Sequence, residues 1–126
     1  MTFRVIQWST GTVGKGAIMS IAERPELELV GLYVTSAVKE GRDAGELAGI
    51  GELGVRASND LEEILALDAD VVIHTPLPSL VYGDDEDADV RNICALLASG
   101  KDVITTVGYM YPKAHGKALT DRLEEA

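Results

Sequence analysis

The sequence predicts an α/β fold: a single parallel sheet with helices packed on both of its faces. Three observations predict it. Apolar, β-rich segments alternate with segments of helical periodicity five times in 126 residues, and strands joined through helices pair in parallel with right-handed crossovers. The segment Ala69-Asp70-Val71-Val72-Ile73-His74-Thr75 reads as apolar on both faces, as a strand in the middle of a parallel sheet does. The first strand, Phe3-Arg4-Val5-Ile6-Gln7-Trp8, runs straight into Ser9-Thr10-Gly11-Thr12-Val13-Gly14-Lys15-Gly16 and then into a helical pattern.

Taken in order, residues 2–9 form the first strand. From Thr12 to about Arg24, Val13, Ala17, Ile18, Ile21 and Ala22 recur at helical spacing, and Pro25 stops the helix. Leu27-Glu28-Leu29-Val30-Gly31-Leu32-Tyr33-Val34 is β-rich and makes the second strand. Residues 35–54 carry five glycines (Gly41, Gly45, Gly49, Gly51 and Gly54) and read as a loop with one helical turn near Gly45-Glu46-Leu47-Ala48. Val55-Arg56-Ala57 is a short third strand. Asn59, with Glu62 three residues on, starts a helix that runs to about Leu67. Residues 69–75 are the fourth strand. The acidic run Asp84-Asp85-Glu86-Asp87 favours the N-terminus of the next helix, which continues to Ser99 and is closed by Gly100. Val103-Ile104-Thr105-Thr106 is the fifth strand and residues 112–126 a last helix. No repeat, linker or low-complexity tract interrupts the pattern, so residues 1–126 read as one domain.

Composition narrows the function. Hydrophobic residues are 46% of the chain, enough for an ordinary core, and 11 basic against 21 acidic residues leave a formal charge of −10. Such a domain repels phosphate backbones, which argues against a nucleic-acid partner. No apolar run approaches the ~20 residues of a membrane span, and the N-terminus lacks the regions of a signal peptide. The expected address is the cytoplasm. Cys94 has no second thiol for a disulfide or zinc, and its neighbours Ile93, Ala95, Leu96 and Leu97 read as core. No metal site is expected.

A strand, a glycine-rich turn and a helix start suit a diphosphate. Bare backbone N–H groups approach the phosphate oxygens, and the helix N-terminus adds about half a positive charge. Gly11 would let the main chain come close to the pyrophosphate, with Ser9, Thr10, Thr12 and Val13 around it, and Gly14 would let the helix pack against the strand. Ser9 stands where the G-x-G-x-x-G pattern has its first glycine. These features make the fold a Rossmann-type, doubly wound sheet and a dinucleotide its ligand.

The second strand ends in Val34-Thr35-Ser36, where an NAD-specific site carries an acid, and Lys39 and Arg42 follow. Hydroxyls and cations suit the 2′-phosphate of NADP better than the bare diol of NAD, which stays the second choice. The nicotinamide would lie against the fourth and fifth strand ends, His74-Thr75-Pro76 and Thr105-Thr106. His74 reads as a hydrogen-bonded wall residue ahead of a proton donor, and His115 as a surface residue. Tyr109 and Tyr111 line the cleft or merely pack.

With these residues placed, the chain resembles the dinucleotide-binding domain of the dihydrodipicolinate reductase family. Four blocks carry the likeness: Gly11-Thr12-Val13-Gly14, Gly41-Arg42-Asp43-Ala44-Gly45-Glu46-Leu47-Ala48-Gly49, Asp70-Val71-Val72-Ile73-His74-Thr75-Pro76 and Gly100-Lys101-Asp102-Val103-Ile104-Thr105-Thr106-Val107-Gly108. The lysine-biosynthesis reductases have an Asp-Phe-Thr-like segment in place of His74-Thr75-Pro76. Gln7-Trp8-Ser9-Thr10-Gly11 and Val107-Gly108-Tyr109-Met110-Tyr111-Pro112 look more like the 2,4-diaminopentanoate dehydrogenase and native amine dehydrogenase branch.

The resemblance implies an oxidoreductase that uses NAD(P)H to transfer hydride at a C–N centre, acting on a small amine or imine and forming homo-oligomers when full length. In that family a second domain holds the substrate and delivers protons. The chain stops after one helix beyond the fifth strand, so it reads as the cofactor half, which binds dinucleotide and turns over little. No catalytic residue is assigned within it. The competing reading is a stand-alone dinucleotide-sensing or regulatory module without catalysis.

Overall fold

The computed structural model describes residues 2–76 and 88–106. The acidic run at 84–87, Leu77 and Pro78, the segment from Val107 to Pro112 with Tyr109 and Tyr111, His115 and the expected helix at 112–126 lie outside the described residues. The elements are β1 (Phe3–Trp8), α1 (Thr12–Glu23), β2 (Leu27–Tyr33), α2 (Ala44–Ala48), β3 (Ala57–Ser58), α3 (Leu61–Ala66), β4 (Val71–His74), α4 (Ala88–Ala98) and β5 (Asp102–Thr105).

The sheet is parallel throughout, in the order β3-β2-β1-β4-β5. The fold class is the one expected. Along β1 the side chains alternate between faces. Ile6 and Trp8 join Ile64 of α3, Val72 of β4 and Leu96 of α4 in one buried cluster. On the other face, Ile18 of α1 packs with Leu32, Val34, Ala44 of α2 and Ala57. The two clusters put α1 and α2 on one face and α3 and α4 on the other. Burying each large aliphatic side chain contributes roughly 1.5–3 kcal/mol. Cys94 is half-buried and packs beside Val90 and Ile93 of α4.

Three boundaries differ from the sequence reading, each for a local reason. The third strand is Ala57–Ser58, paired with Leu32 and Tyr33, because Arg56 turns away to bridge Asp43 in the antiparallel sense. The cap of α3 is Asp60 rather than Asn59. Its carboxylate accepts from the backbone N–H of Glu62 and Glu63 at 3.0 and 3.5 Å. Glu63, not Glu62, is the acid three residues on, and it accepts from the Ser58 hydroxyl at 3.1 Å. The fourth strand is shorter than 69–75, spanning Val71–His74.

The block Gly41–Gly49, which carried much of the family likeness, is a structural clasp. Asp43 is the N-cap of α2, and its two oxygens accept from the backbone N–H groups of Gly45, Glu46, Leu53 and Gly54 at 2.8–3.2 Å. A Cβ at Gly45 would run into the Gly51 carbonyl, so only glycine lets these two stretches cross. At the opposite end of the sheet from the C-terminal strand ends, Lys101 is buried. Its Nζ donates to the carbonyl of Leu65 at the end of α3 (2.8 Å) and to the Ser99 hydroxyl (3.0 Å).

Candidate functional site

Strand order reverses its direction of growth at β1. The chain builds outward to β3 and then crosses back to β4 on the other side of β1. The crevice beyond the carboxyl ends of β1 and β4 is where sheets of this type hold ligands. A cleft of about 640 Å³ opens there, within the usual range for small-molecule sites. It is lined by Ser9, Thr10, Gly11, Thr12 and Val13 on one side, by Thr35, Ser36 and Lys39 on another, and by Thr75, Pro76 and Thr106 at the third. Eleven of the fourteen residues singled out from the sequence are thus brought to one cleft. Gly14, His74 and Thr105 do not line it, and neither does Arg42.

Gly14 lies behind the cleft wall. A Cβ there would collide with the backbone carbonyl of Ser9 and sit 3.0 Å from the Thr75 hydroxyl. That close approach seats the first turn of α1 on the end of β1. Gly11 is different: it is the N-cap of α1 with ordinary extended backbone, φ −67° and ψ −170°, and a Cβ built on it meets nothing within 4 Å. Neither backbone strain nor packing among the described residues therefore requires glycine at 11. The space in front of it is cleft. The first turn of α1 carries no side-chain cap and no acid, so its N–H groups are left for an anion.

Ser9 adopts φ 82°, the left-handed conformation that a glycine takes without cost. For a serine it costs roughly 1–2 kcal/mol. The serine has replaced the glycine in sequence and kept its backbone shape. Its N–H donates to the Tyr33 carbonyl at 2.8 Å. Lys39 reaches back from the loop after β2, and its Nζ donates to the Thr10 hydroxyl at 2.9 Å. One cation thereby stands beside the turn and the β2 end together.

His74 is fully buried beneath the cleft floor, with its ring 5.4 Å from Trp8. Its Nδ1 is 2.8 Å from the Thr105 hydroxyl, and its Nε2 has no hydrogen-bond partner among the described residues. Burial pushes its pKa down to about 4, against the opposing pull of Asp89, so the ring is neutral at pH 7. This is a wall residue that holds the β4 and β5 ends together.

Sequence reasoning assigned no cofactor contact to Trp8, Tyr33 or Val34, which also line the cleft, nor to Ala88, Asp89 and Asn92 from the start of α4. Trp8 and Tyr33 end paired strands and stack with ring centroids 3.9 Å apart; their position at strand ends was a usable signal. Burial raises the Tyr33 phenol above its ordinary value. Asp89 and Asn92 carried no such signal, because their place depends on how α4 lies across the sheet. Among the described residues no group of histidine, cysteine or carboxylate side chains is placed to hold a metal, and no helix is long and apolar enough to cross a membrane.

Residues 5–109 match the family model described as dihydrodipicolinate reductase, N-terminus. An amine dehydrogenase of Streptomyces virginiae is 40% identical over 106 residues, covering 82% of this chain and 28% of that protein. A 4-hydroxy-tetrahydrodipicolinate reductase of Synechococcus elongatus is 36% identical over 83 residues, covering 62% of this chain and 30% of that one. In three dimensions an amine dehydrogenase from Mycobacterium smegmatis superposes with a TM-score of 0.83 at 23% identity, covering 99% of this chain and 36% of that chain. The chain spans about a third of the length of each of these proteins.

Proposed function

The chain belongs to the dihydrodipicolinate reductase N-terminal domain family, and we propose that it holds the nicotinamide dinucleotide of an oxidoreductase acting at a C–N centre. The observation that carries this reading is the open space in front of Gly11, beside an uncapped helix start in a cleft of about 640 Å³. In this reading Gly11, Thr12 and Val13 hold the pyrophosphate by backbone N–H groups, with Ser9 and Thr10 shaping the turn and Gly14 seating the helix. Thr35, Ser36 and Lys39 meet the adenosine ribose or its 2′-phosphate. Thr75, Pro76 and Thr106 border the nicotinamide, while His74 and Thr105 brace that border from behind. The bound cofactor supplies the hydride. In this reading substrate binding and proton delivery are assigned to none of this chain's residues. An amine or imine as substrate is supported by likeness to the longer relatives, an amine dehydrogenase among them.

Thermal unfolding with and without NADPH, NADH and AMP tests the reading. A dinucleotide at 100 times its dissociation constant adds about 2.7 kcal/mol to stability. Absence of any shift at millimolar dinucleotide would remove the reading. The chain has one tryptophan, Trp8, and it lines the cleft, so its fluorescence offers a second readout of binding.

We further propose that NADPH is preferred over NADH, because Lys39 lines the same cleft as Thr35 and Ser36. A charge-assisted hydrogen bond contributes about 1.5–3 kcal/mol. Lys39→Ala is therefore expected to weaken NADPH binding roughly ten- to hundredfold and to leave NADH nearly unchanged. Equal losses for both cofactors would mean that Lys39 props the turn through Thr10 and does not read the phosphate.

A further inference from the structure

We propose that Gln7 is the positioning residue of the phosphate turn, holding Ser9 in the left-handed conformation that a glycine would adopt unaided. Gln7 is fully buried on β1, on the face opposite the Ile6 and Trp8 side chains. Its Nε2 donates to the Ser9 carbonyl at 2.9 Å, to the Thr75 hydroxyl at 2.9 Å and, more weakly, to the Trp8 carbonyl at 3.2 Å. Two of those partners are carbonyls and accept only, so the amide nitrogen is the end that must face the turn.

The Ser9 unit is thereby pinned at both ends, with its N–H on the Tyr33 carbonyl and its carbonyl on Gln7. That same carbonyl is the one a Cβ at Gly14 would strike. The direction in which it points sets where α1 begins, and with it the N–H groups that face the cleft. Were Ser9 to relax to a negative φ, its carbonyl would swing away from Gln7 and the Ser9–Thr10 peptide would turn with it.

Strand stability does not explain a glutamine here. The Gln7 Oε1 is buried without a hydrogen-bond partner among the described residues, a cost that an unbranched apolar side chain of the same length avoids. The bonds from its two N–H groups, one of them shared between two acceptors, are what the amide contributes. They offset the penalty of a non-glycine residue at φ 82°. Gln7 itself does not line the cleft, so it acts through the residues it holds, Ser9 and Thr75.

The test is a double-mutant cycle of Gln7→Met and Ser9→Gly in the full 126-residue chain. Calorimetric titration with NADPH and NADH reads binding, and the thermal midpoint of the ligand-free chain reads the clasp itself. Q7M is expected to lower dinucleotide affinity at least tenfold. S9G sets its own reference affinity, and Q7M added to S9G should lower that affinity less than threefold, because a glycine holds the turn unaided. Unchanged affinity in Q7M overturns the proposal, as does a loss on adding Q7M to S9G as large as in the original chain.

Should Q7M not fold, the double variant decides: folded, it supports the clasp, and unfolded, it overturns it. The binding arm rests on the dinucleotide reading. If the original chain binds neither cofactor that reading fails by itself, and the ligand-free midpoints still judge the clasp. S9G must then raise the midpoint more in the Q7M background than in the original one; equal increments overturn the proposal.

Discussion

Gly14→Ala is expected to destabilise the chain by about 3 kcal/mol and to lower dinucleotide affinity more than a hundredfold. The added Cβ meets the backbone carbonyl of Ser9, which cannot step aside because Gln7 and Tyr33 hold that residue on both sides. Overpacking against fixed backbone costs this much. Relief comes only by lifting the first turn of α1 off β1, which moves the N–H groups that line the cleft. Gly16→Ala, two residues on in the same helix, is the control. A Cβ there meets nothing within 4 Å, and replacing a helical glycine by alanine adds about 0.5–1 kcal/mol. Chemical denaturation of both variants, with a cofactor titration of each, checks the pair. A Gly14→Ala chain as stable as Gly16→Ala would contradict the close approach of α1 to Ser9.

Asp43→Ala is expected to cost about 2 kcal/mol, since it removes a helix cap and the shared acceptor of four backbone donors, of which Gly45 is buried while Glu46, Leu53 and Gly54 lie at the surface. Asp43→Asn keeps one acceptor oxygen and should fall between. The pH dependence separates charge from shape. Burial works to raise the Asp43 pKa, but the N–H groups of Leu53, Gly54, Glu46 and Gly45 together outweigh it, and the carboxyl is held below its ordinary value. A carboxyl depressed in the folded state contributes its stability fully above the unfolded pKa and loses it as the pH falls through the folded one. This acid limb should be present in the original chain below about pH 4 and missing in Asp43→Asn.

His74 gives a second limb at higher pH. Its folded pKa of about 4 lies below its ordinary 6.5. Between those values the unfolded chain holds a proton that the folded chain lacks, so stability declines as the pH falls from about 6.5 toward 4. His74→Phe should remove that limb and leave the lower one. Urea unfolding from pH 3 to 8 distinguishes the two. A single limb, or one that neither substitution moves, would show that other groups carry the acid sensitivity.

The two expectations trace to residues that the sequence treated very differently. Gly14 was legible: a glycine three places after Gly11, between a strand and a helix, has a known geometric task. Asp43 was seen only as part of a family signature, and nothing local distinguishes an acid that meets a ligand from one that ties two stretches of loop together. Asp43 accepts from Leu53 and Gly54, ten and eleven residues away, and such a bond leaves no periodic trace. Ser9 shows the same limit at shorter range. As a substitution it looked like a flaw in a phosphate turn; its φ of 82° makes it the same turn in another residue. Gln7 stood out only as part of a branch motif and with no role of its own, because an internal strand glutamine has many uses and its partner Thr75 is 68 positions away.

The order of strands and helices, the parallel sheet and the turn that begins α1 were therefore determined by the chain's local pattern, since hydrophobic period, proline and glycine act within a few residues. The division of the chosen residues was decided by the tertiary structure alone. Thr75 and Pro76 face the cleft while His74, the adjacent residue, is sealed beneath it. Alternation along a strand says that neighbours point opposite ways, but which way is the cleft depends on where β1, β4 and α4 meet. That meeting is made by contacts between segments tens of residues apart, and no short stretch of sequence contains it.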